Sequence, residues 1–353
     1  MAIDIAGDAT NRWRIGHRRL VRGTLVPAWV VLGVVALAHL AGVSLPVPAR
    51  YGVLLVTLVL FGLPHGAADH HSVVRALDID LTPRFLLGFC AGYLLLAGAY
   101  TVVWFLAPVL AFLFFLALTW FHWGQGDVYS MATLADGAYL RDSLVGALSI
   151  VVRGGLPMLV PLLFFPERYS AVARAVVGLF APGADWFSVL VTSEIRLLLG
   201  CGFASLTVLA LVLGARRATS RHSWRIDAGE TLLLWVYFAV VPPVLAIGVY
   251  FAVWHSLRHI SRLVELDRRA LAALDRGAVR QTVGRFVRDA LPATVGAVLL
   301  FGGFALAVPE SVGSVPDIGG VYLVLLAVLT LPHVVVVSWL DVRQGLWRPN
   351  GSL

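Results

Sequence analysis

Apolar runs of about twenty residues recur along the whole chain, and they constrain its fold more than any other feature. A run of that length suits an α-helix crossing a hydrocarbon core about 30 Å thick. The runs are continuous rather than alternating, which argues against a strand-based barrel. Composition agrees: 59% of the 353 residues are hydrophobic, 13% are charged, and the mean hydropathy is +0.86. A soluble domain is only about 45–50% apolar. The expected fold is therefore all-α, a polytopic transmembrane helical bundle of about eight to ten spans.

Ten apolar segments are read, at roughly 25–43, 51–74, 85–106, 108–128, 142–165, 194–215, 229–241, 243–261, 291–308 and 319–340. The pair Pro242-Pro243 either separates two spans or kinks one longer helix. Ser170 to Phe187 reads as a short interfacial helix. No internal repeat or soluble domain stands out. The expected organisation is a cytoplasmic tail over 1–24, one membrane-embedded catalytic domain over 25–345 with a basic cytoplasmic loop at 262–290, and a short tail over 346–353.

All 27 basic residues are arginine. With the N-terminus inside, most of them (Arg12 to Arg22, Arg75, Arg84, Arg141, Arg216 to Arg225, Arg262 to Arg288, Arg343, Arg348) fall on the inner side. Arg50, Arg168, Arg174 and Arg196 fall outside. That asymmetry follows the positive-inside rule and predicts a multi-pass protein of the cell membrane with a cytoplasmic N-terminus. The excess of 7 positive charges is a topology signal and implies no nucleic-acid partner. Cys90 and Cys201 lie in apolar segments without spacing partners, so neither a thiol metal site nor a disulfide framework is expected. Arg153 falls inside a span, which fits either snorkelling or a functional role.

Seven of the ten histidines fall in four motifs: GLPHGAADHH, TWFHWGQGD, YFAVWHSLRHI and TLPHVVV. Of the others, His17 and His222 lie in basic stretches, and His39 stands alone on the first span. In the predicted topology, His65, His122, His255 with His259, and His333 each lie in the second half of a helix running from outside to inside. Four helices thus bring histidines to one depth. His255 and His259 are spaced i,i+4, which lets a single helix supply two metal ligands. His65 and Asp69 share that spacing, so Asp69 is expected to accept the far N–H of the His65 imidazole. Asp69 and Asp127 would balance a buried cation. Pro64 and Pro332 each precede a histidine and loosen the local helix. One such motif would read as a buried polar network; four at matching depth read as a metal site. Imidazoles without cysteine suit iron, copper or zinc, and the spacing does not choose among them.

The set PHGAADH, FHWGQGD, WHSLRH and the late LPH, in that order, resembles the Brp/Blh family of membrane-embedded β-carotene 15,15′-dioxygenases over most of the chain. That resemblance implies oxidative cleavage of the central double bond of β-carotene or a related carotenoid, with O₂ as co-substrate, to two molecules of retinal that pass to a rhodopsin. It implies non-haem Fe(2+) held by His65, His122, His255 and His259 as the catalytic and metal-binding set. Asp69, His70, Asp127 and His333 rank as supporting residues around it, and His71 maps onto no role. Trp120, Phe121, Trp123, Tyr250, Phe251 and Trp254 flank the motif histidines and are candidates to line a carotenoid tunnel. The sequence carries no flavin or nucleotide fingerprint, which suits a reaction that adds both atoms of O₂ and needs no reductant.

Other readings keep a place. A membrane di-iron hydroxylase or desaturase also gathers histidines near one face, but those sites use about eight ligands and this chain has one HxxxH and no HxxHH. A His/Asp-relay transporter, or a carotenoid-binding protein without cleavage activity, would use the same polar residues without a redox metal.

Overall fold

The computed structural model describes residues 15–184, 187–310 and 312–346. Of the tails expected at 1–24 and 346–353, residues 1–14 and 347–353 lie outside the described residues, and 15–24 belong to the first helix rather than to a tail. Among the described residues there are helices, turns and bends but no strand. In chain order the α-helices are α1 (Ile15–Leu40), α2 (Val47–Thr57), α3 (Leu63–Ala67), α4 (Asp69–Leu77), α5 (Pro83–Leu106), α6 (Pro108–Leu134), α7 (Ser143–Phe164), α8 (Pro166–Gly178), α9 (Ser193–Arg217), α10 (Arg221–Val240), α11 (Pro243–Tyr250), α12 (Leu257–Leu266), α13 (Arg268–Asp275), α14 (Val279–Ala307) and α15 (Val315–Arg343). Proline opens α5, α6, α8 and α11, where its missing N–H costs no hydrogen bond and its fixed φ suits the first turn.

Among the described residues, eight helical rods are long and apolar enough to cross a membrane: α1, the Val47–Leu77 rod (α2 to α4), α5, α6, α7, α9, α14 and α15. Two further rods complete the ten expected segments. They are α10, and the run from α11 to α12 joined by a π-helical turn at Phe251–Ser256. Both are less apolar because they carry Asp227, Glu230, His255, Arg258, His259 and Arg262, all buried. The chain does break at the proline pair: Pro242 takes φ −56° and ψ 140°, so two helices form rather than one kinked helix. The helix expected at Ser170 to Phe187 lies earlier, at Pro166–Gly178, because Pro166 sets its start.

The bundle has an inner and an outer set. In α15 and α7 the most apolar windows are 67% and 61% buried; in α5 and α14 the share is 11%. The outer helices present Leu87, Leu95, Leu106, Leu299 and Leu306 outward, as lipid-facing surfaces do, because acyl chains are as apolar as leucine. Helices α6 and α7 cross closely through glycine. A Cβ on Gly124 would strike the Ile150 carbonyl, and one on Gly154 would strike the Trp120 carbonyl.

The segment expected as a basic loop at 262–290 is helical: the end of α12, all of α13 and the start of α14. Asp267 caps α13 by accepting from the N–H groups of Arg269 and Ala270. Its carboxylate also pairs with Arg75 (2.9 Å) and Arg285 (2.9 Å), and Asp289 pairs with Arg75 (2.5 Å) and Arg288 (2.8 Å). Arg19 donates to the Leu274 carbonyl, and Thr24 and Ser261 share a hydrogen bond of 2.5 Å. These ties gather the start of α1, the end of α4 and the 262–290 segment at one end of the bundle, where the arginines meet their carboxylates.

Candidate metal centre

Two π-helical turns, Leu58–Gly62 and Phe251–Ser256, sit next to histidine motifs. Each adds a residue to its turn and re-aims the side chains that follow, a device frequent at functional sites. After the first turn, α3 carries His65. The helix then breaks at Ala68 (φ −93°, ψ 8°) before α4 starts at Asp69. His122 comes from α6, His255 from the second π turn, His259 from α12 and His333 from α15, directly after Pro332.

These five imidazoles meet in one buried cluster. The ring centroids of His65 lie 5.4 Å from His255, 5.5 Å from His259 and 4.9 Å from His333. His122 lies 4.8 Å from both His255 and His333, and His259 lies 5.0 Å from His333. All five are less than a tenth exposed. His65 donates from Nδ1 to the Gly62 carbonyl, and His333 donates from Nδ1 to Asp69 Oδ2 at 2.8 Å. Each acceptor fixes the proton on Nδ1 and leaves the Nε2 lone pair free to point away. Both nitrogens of His122, and Nε2 of His255, His259 and His333, are buried without a hydrogen-bond partner.

Buried polar atoms in native proteins almost always have partners, so five orphaned imidazole nitrogens together require an explanation. A bound metal ion would supply it. Nitrogen donors of His65, His122 and His333 lie within 4.8 Å of one another, and the same bound holds for Asp69, His259 and His333. Metal–nitrogen bonds of about 2 Å put opposite ligands about 4 Å apart, which this spacing accommodates. The donors are imidazole nitrogens, the ligand class that suits iron, copper or zinc. The residues present therefore fit a non-haem metal.

Two expected contacts differ. Asp69 does not serve His65: the break at Ala68 removes the i,i+4 register, and the carboxylate reaches across to His333, with Tyr93 Oη also donating to it at 3.4 Å. His333, ranked as a supporting residue by its motif, stands in the middle of the cluster. Asp127 touches no histidine. It accepts from Trp254 Nε1 (2.8 Å) and pairs with Arg153 (3.0 Å) and Arg258 (3.5 Å). Arg258 is buried against Glu230 (2.6 Å) with its guanidinium over the Trp254 ring. Arg153 is 1% exposed and binds Asp127, Asp227 and Glu230. A sequence signal for this second network exists: Asp227 and Glu230 stand i,i+3 in α10, just before its apolar half. His70 lies outside the cluster, its ring 4.3 Å from that of His71. His39 is also apart, bonded to its own helix at Val35.

A cavity of about 710 Å³ opens beside the cluster, with His65, His122 and His333 in its wall and His70 and His71 further along it. A second, narrower and almost wholly apolar cavity of about 110 Å³ lies between α2, α6, α8, α11 and α15. The two share Thr119, Trp123, Phe251 and Leu326 in their walls, so these four residues adjoin both cavities. Of the six tunnel candidates, only Trp123 and Phe251 line these cavities. Trp120 donates to the Val151 carbonyl and packs on Phe203. Phe121 is 41% exposed on the outer face of α6. Tyr250 packs against Trp123 and Phe238, and Trp254 is engaged with Asp127.

The family model for β-carotene 15,15′-dioxygenase matches residues 56–341, a span that contains the whole cluster. A probable β-carotene 15,15′-dioxygenase, Blh, of Halobacterium salinarum is 45% identical over 330 residues, covering 94% of this chain and 95% of the relative. A probable β-carotene 15,15′-dioxygenase, Brp, of the same species is 32% identical over 363 residues, 92% of this chain and 98% of the relative. A β-carotene 15,15′-dioxygenase from an uncultured marine bacterium is 34% identical over 73 residues, 21% of this chain and 26% of the relative. No solved structure matches. On the family match and on relatives of this identity and coverage, the chain belongs to the β-carotene 15,15′-dioxygenase family.

Proposed function

We propose that this protein cleaves the central 15,15′ double bond of β-carotene with O₂ to give two molecules of retinal. The reaction balances with no other reactant: each alkene carbon gains one oxygen atom and becomes an aldehyde. The observation that carries the reading is the set of orphaned imidazole nitrogens beside a large, mostly apolar cavity that shares wall residues with a second, apolar one. A central double bond must sit with half of the polyene on each side, and two cavities that share wall residues suit that demand.

His65, His122, His255 and His259 would hold ferrous iron, which when bound supplies the activation of O₂ that a spin-forbidden reaction with an alkene needs. The protein's own work is orientation and exclusion of water. Gly62 and Asp69 fix the tautomers of His65 and His333. Trp123 and Phe251 flank the cluster with flat apolar faces, their ring centroids 5.8 Å apart, and hold the polyene beside it. The surrounding apolar walls keep water from the reacting carbons. We place the protein in the cell membrane as a multi-pass protein with its N-terminal side in the cytoplasm, on the asymmetry of its arginines. Carotenoid would enter from the bilayer, and the retinal formed would serve as chromophore for a rhodopsin.

Expression in a bacterial host that accumulates β-carotene tests this reading, with colour scored and retinal measured by chromatography. Retinal from the wild type and none from His255→Ala at equal protein level is the expected result. Persistent colour and no retinal from folded, iron-loaded protein would contradict it.

A further inference from the structure

We propose that His333 is itself a metal ligand, the fifth, and that Asp69 is the positioning residue that holds it there. This rests on the metal reading of the cluster and extends it, since the four-histidine set leaves His333 and Asp69 as bystanders.

Three observations converge on His333. Its ring makes edge contacts with three of the other four imidazoles, His65, His122 and His259, at 4.8 to 5.0 Å. A histidine that only packed behind the ligands would not stand among them. Its Nδ1–H is committed to Asp69 at 2.8 Å while its Nε2 is buried with no partner. That is the carboxylate–imidazole arrangement that orients a ligating nitrogen and raises its basicity. The backbone is also shaped for it: a Cβ on Gly66 would stand 3.3 Å from the His333 Nδ1, tighter than ordinary contact.

A purely structural role for His333 fits less well. A structural histidine would have a donor or acceptor for Nε2. Asp69 brings a further consequence. It is 1% exposed, and among the described residues it forms no salt bridge with an arginine; its side-chain partners are His333 and Tyr93. A buried carboxylate without a cationic partner is costly next to neutral imidazoles and favourable next to a dication.

The test uses the purified full chain in detergent, loaded with Fe(II) or Co(II). Iron retention is followed against increasing chelator, and the Co(II) absorption spectrum reports coordination number without turnover. His333→Ala, His333→Gln and Asp69→Asn are compared with wild type and with His39→Ala, which lies outside the cluster. The expected result is iron retention weakened at least about 10- to 100-fold in the His333 and Asp69 variants. The Co(II) spectrum should shift toward lower coordination in both His333 variants and stay unchanged in His39→Ala. Gel filtration checks folding, and the volume-preserving Gln and Asn variants decide the outcome where Ala does not fold. Wild-type retention and an unchanged Co(II) spectrum in His333→Gln and Asp69→Asn would overturn the proposal. Failure of the wild type to bind either metal would instead strike the metal reading beneath it.

Discussion

Two buried polar clusters lie back to back in this bundle, sharing α6 and the run from α11 to α12 and opposite in character. Asp127 follows His122 by five residues on α6, and Arg258 stands between His255 and His259. Yet in one cluster a single nitrogen, Arg258 Nε, lacks a partner, whereas in the other several do. Arg153 places all three guanidinium nitrogens on Asp127, Asp227 and Glu230, and Trp254 and Arg258 supply further donors. The histidine cluster leaves five ring nitrogens without partners. The contrast separates two uses of polarity in an apolar solvent. Charges that only hold helices together satisfy one another, whereas lone pairs that converge unsatisfied are arranged to bind a cation. The two clusters are also complementary in charge: Arg153 and Arg258 (+2) against Asp127, Asp227 and Glu230 (−3) leave the network at −1, beside a site expected to hold a cation.

The comparison is sharpened by variants on each side. Removing an unsatisfied donor should destroy function and spare the fold. His122→Ala is expected to lower retinal formation by about 100-fold or more while leaving the melting temperature in detergent near that of wild type. Removing the centre of the charged network should do the reverse. Arg153→Met leaves Asp227 without its arginine and Arg258 alone against Asp127 and Glu230, and a broken buried ion pair costs about 3–5 kcal/mol. It should appear as a large fall in melting temperature and in the yield of folded protein. Trp254→Phe removes one donor to Asp127 and should cost less, about 1.5–3 kcal/mol for a hydrogen bond to a charged group, again read by thermal melting.

The smallest effect lies outside the membrane spans, at Asp267. Burial pushes its carboxyl up, but the Ala270 N–H and the Arg285 and Arg75 guanidiniums outweigh burial and hold it below the ordinary value. A carboxyl lowered in the folded state stabilises above its unfolded pKa, about 4, and that contribution is lost as pH falls through the lower folded value. Asp267→Asn should therefore melt slightly below wild type at pH 7. The gap should close as pH drops below about 4; a gap that stayed constant across that range would contradict the assignment.

Much of the fold is legible in the sequence because lipid leaves few options: every apolar run has to be a helix, and the proline pair at 242–243 has to interrupt one. The four histidine motifs are equally legible, as polar residues with no other reason to lie in apolar runs. Register is what spacing misses. The i,i+4 spacing of His65 and Asp69 implies a shared face, but Ala68 leaves helical geometry between them. The π turns at Leu58–Gly62 and Phe251–Ser256 also shift faces in a way that residue spacing does not reveal. The tunnel candidates fall short for a related reason. Neighbours of a ligand in sequence point around the helix, so Trp123 faces the cavity while Phe121 faces outward. The motif around His333 is short and ranks it low; its importance comes from the deep burial of α15, a tertiary fact.

The central claim is that the unsatisfied histidine cluster is a metal centre. Metal analysis of the purified protein, paired with retinal formation on the same samples, tests it most directly. The account predicts close to one iron per chain in the wild type and in Trp254→Phe. It predicts almost none in a His122→Ala/His255→Ala double variant that still folds, with activity following iron in each sample. Wild-type retinal formation by metal-free protein, or full iron in the double variant, would contradict it.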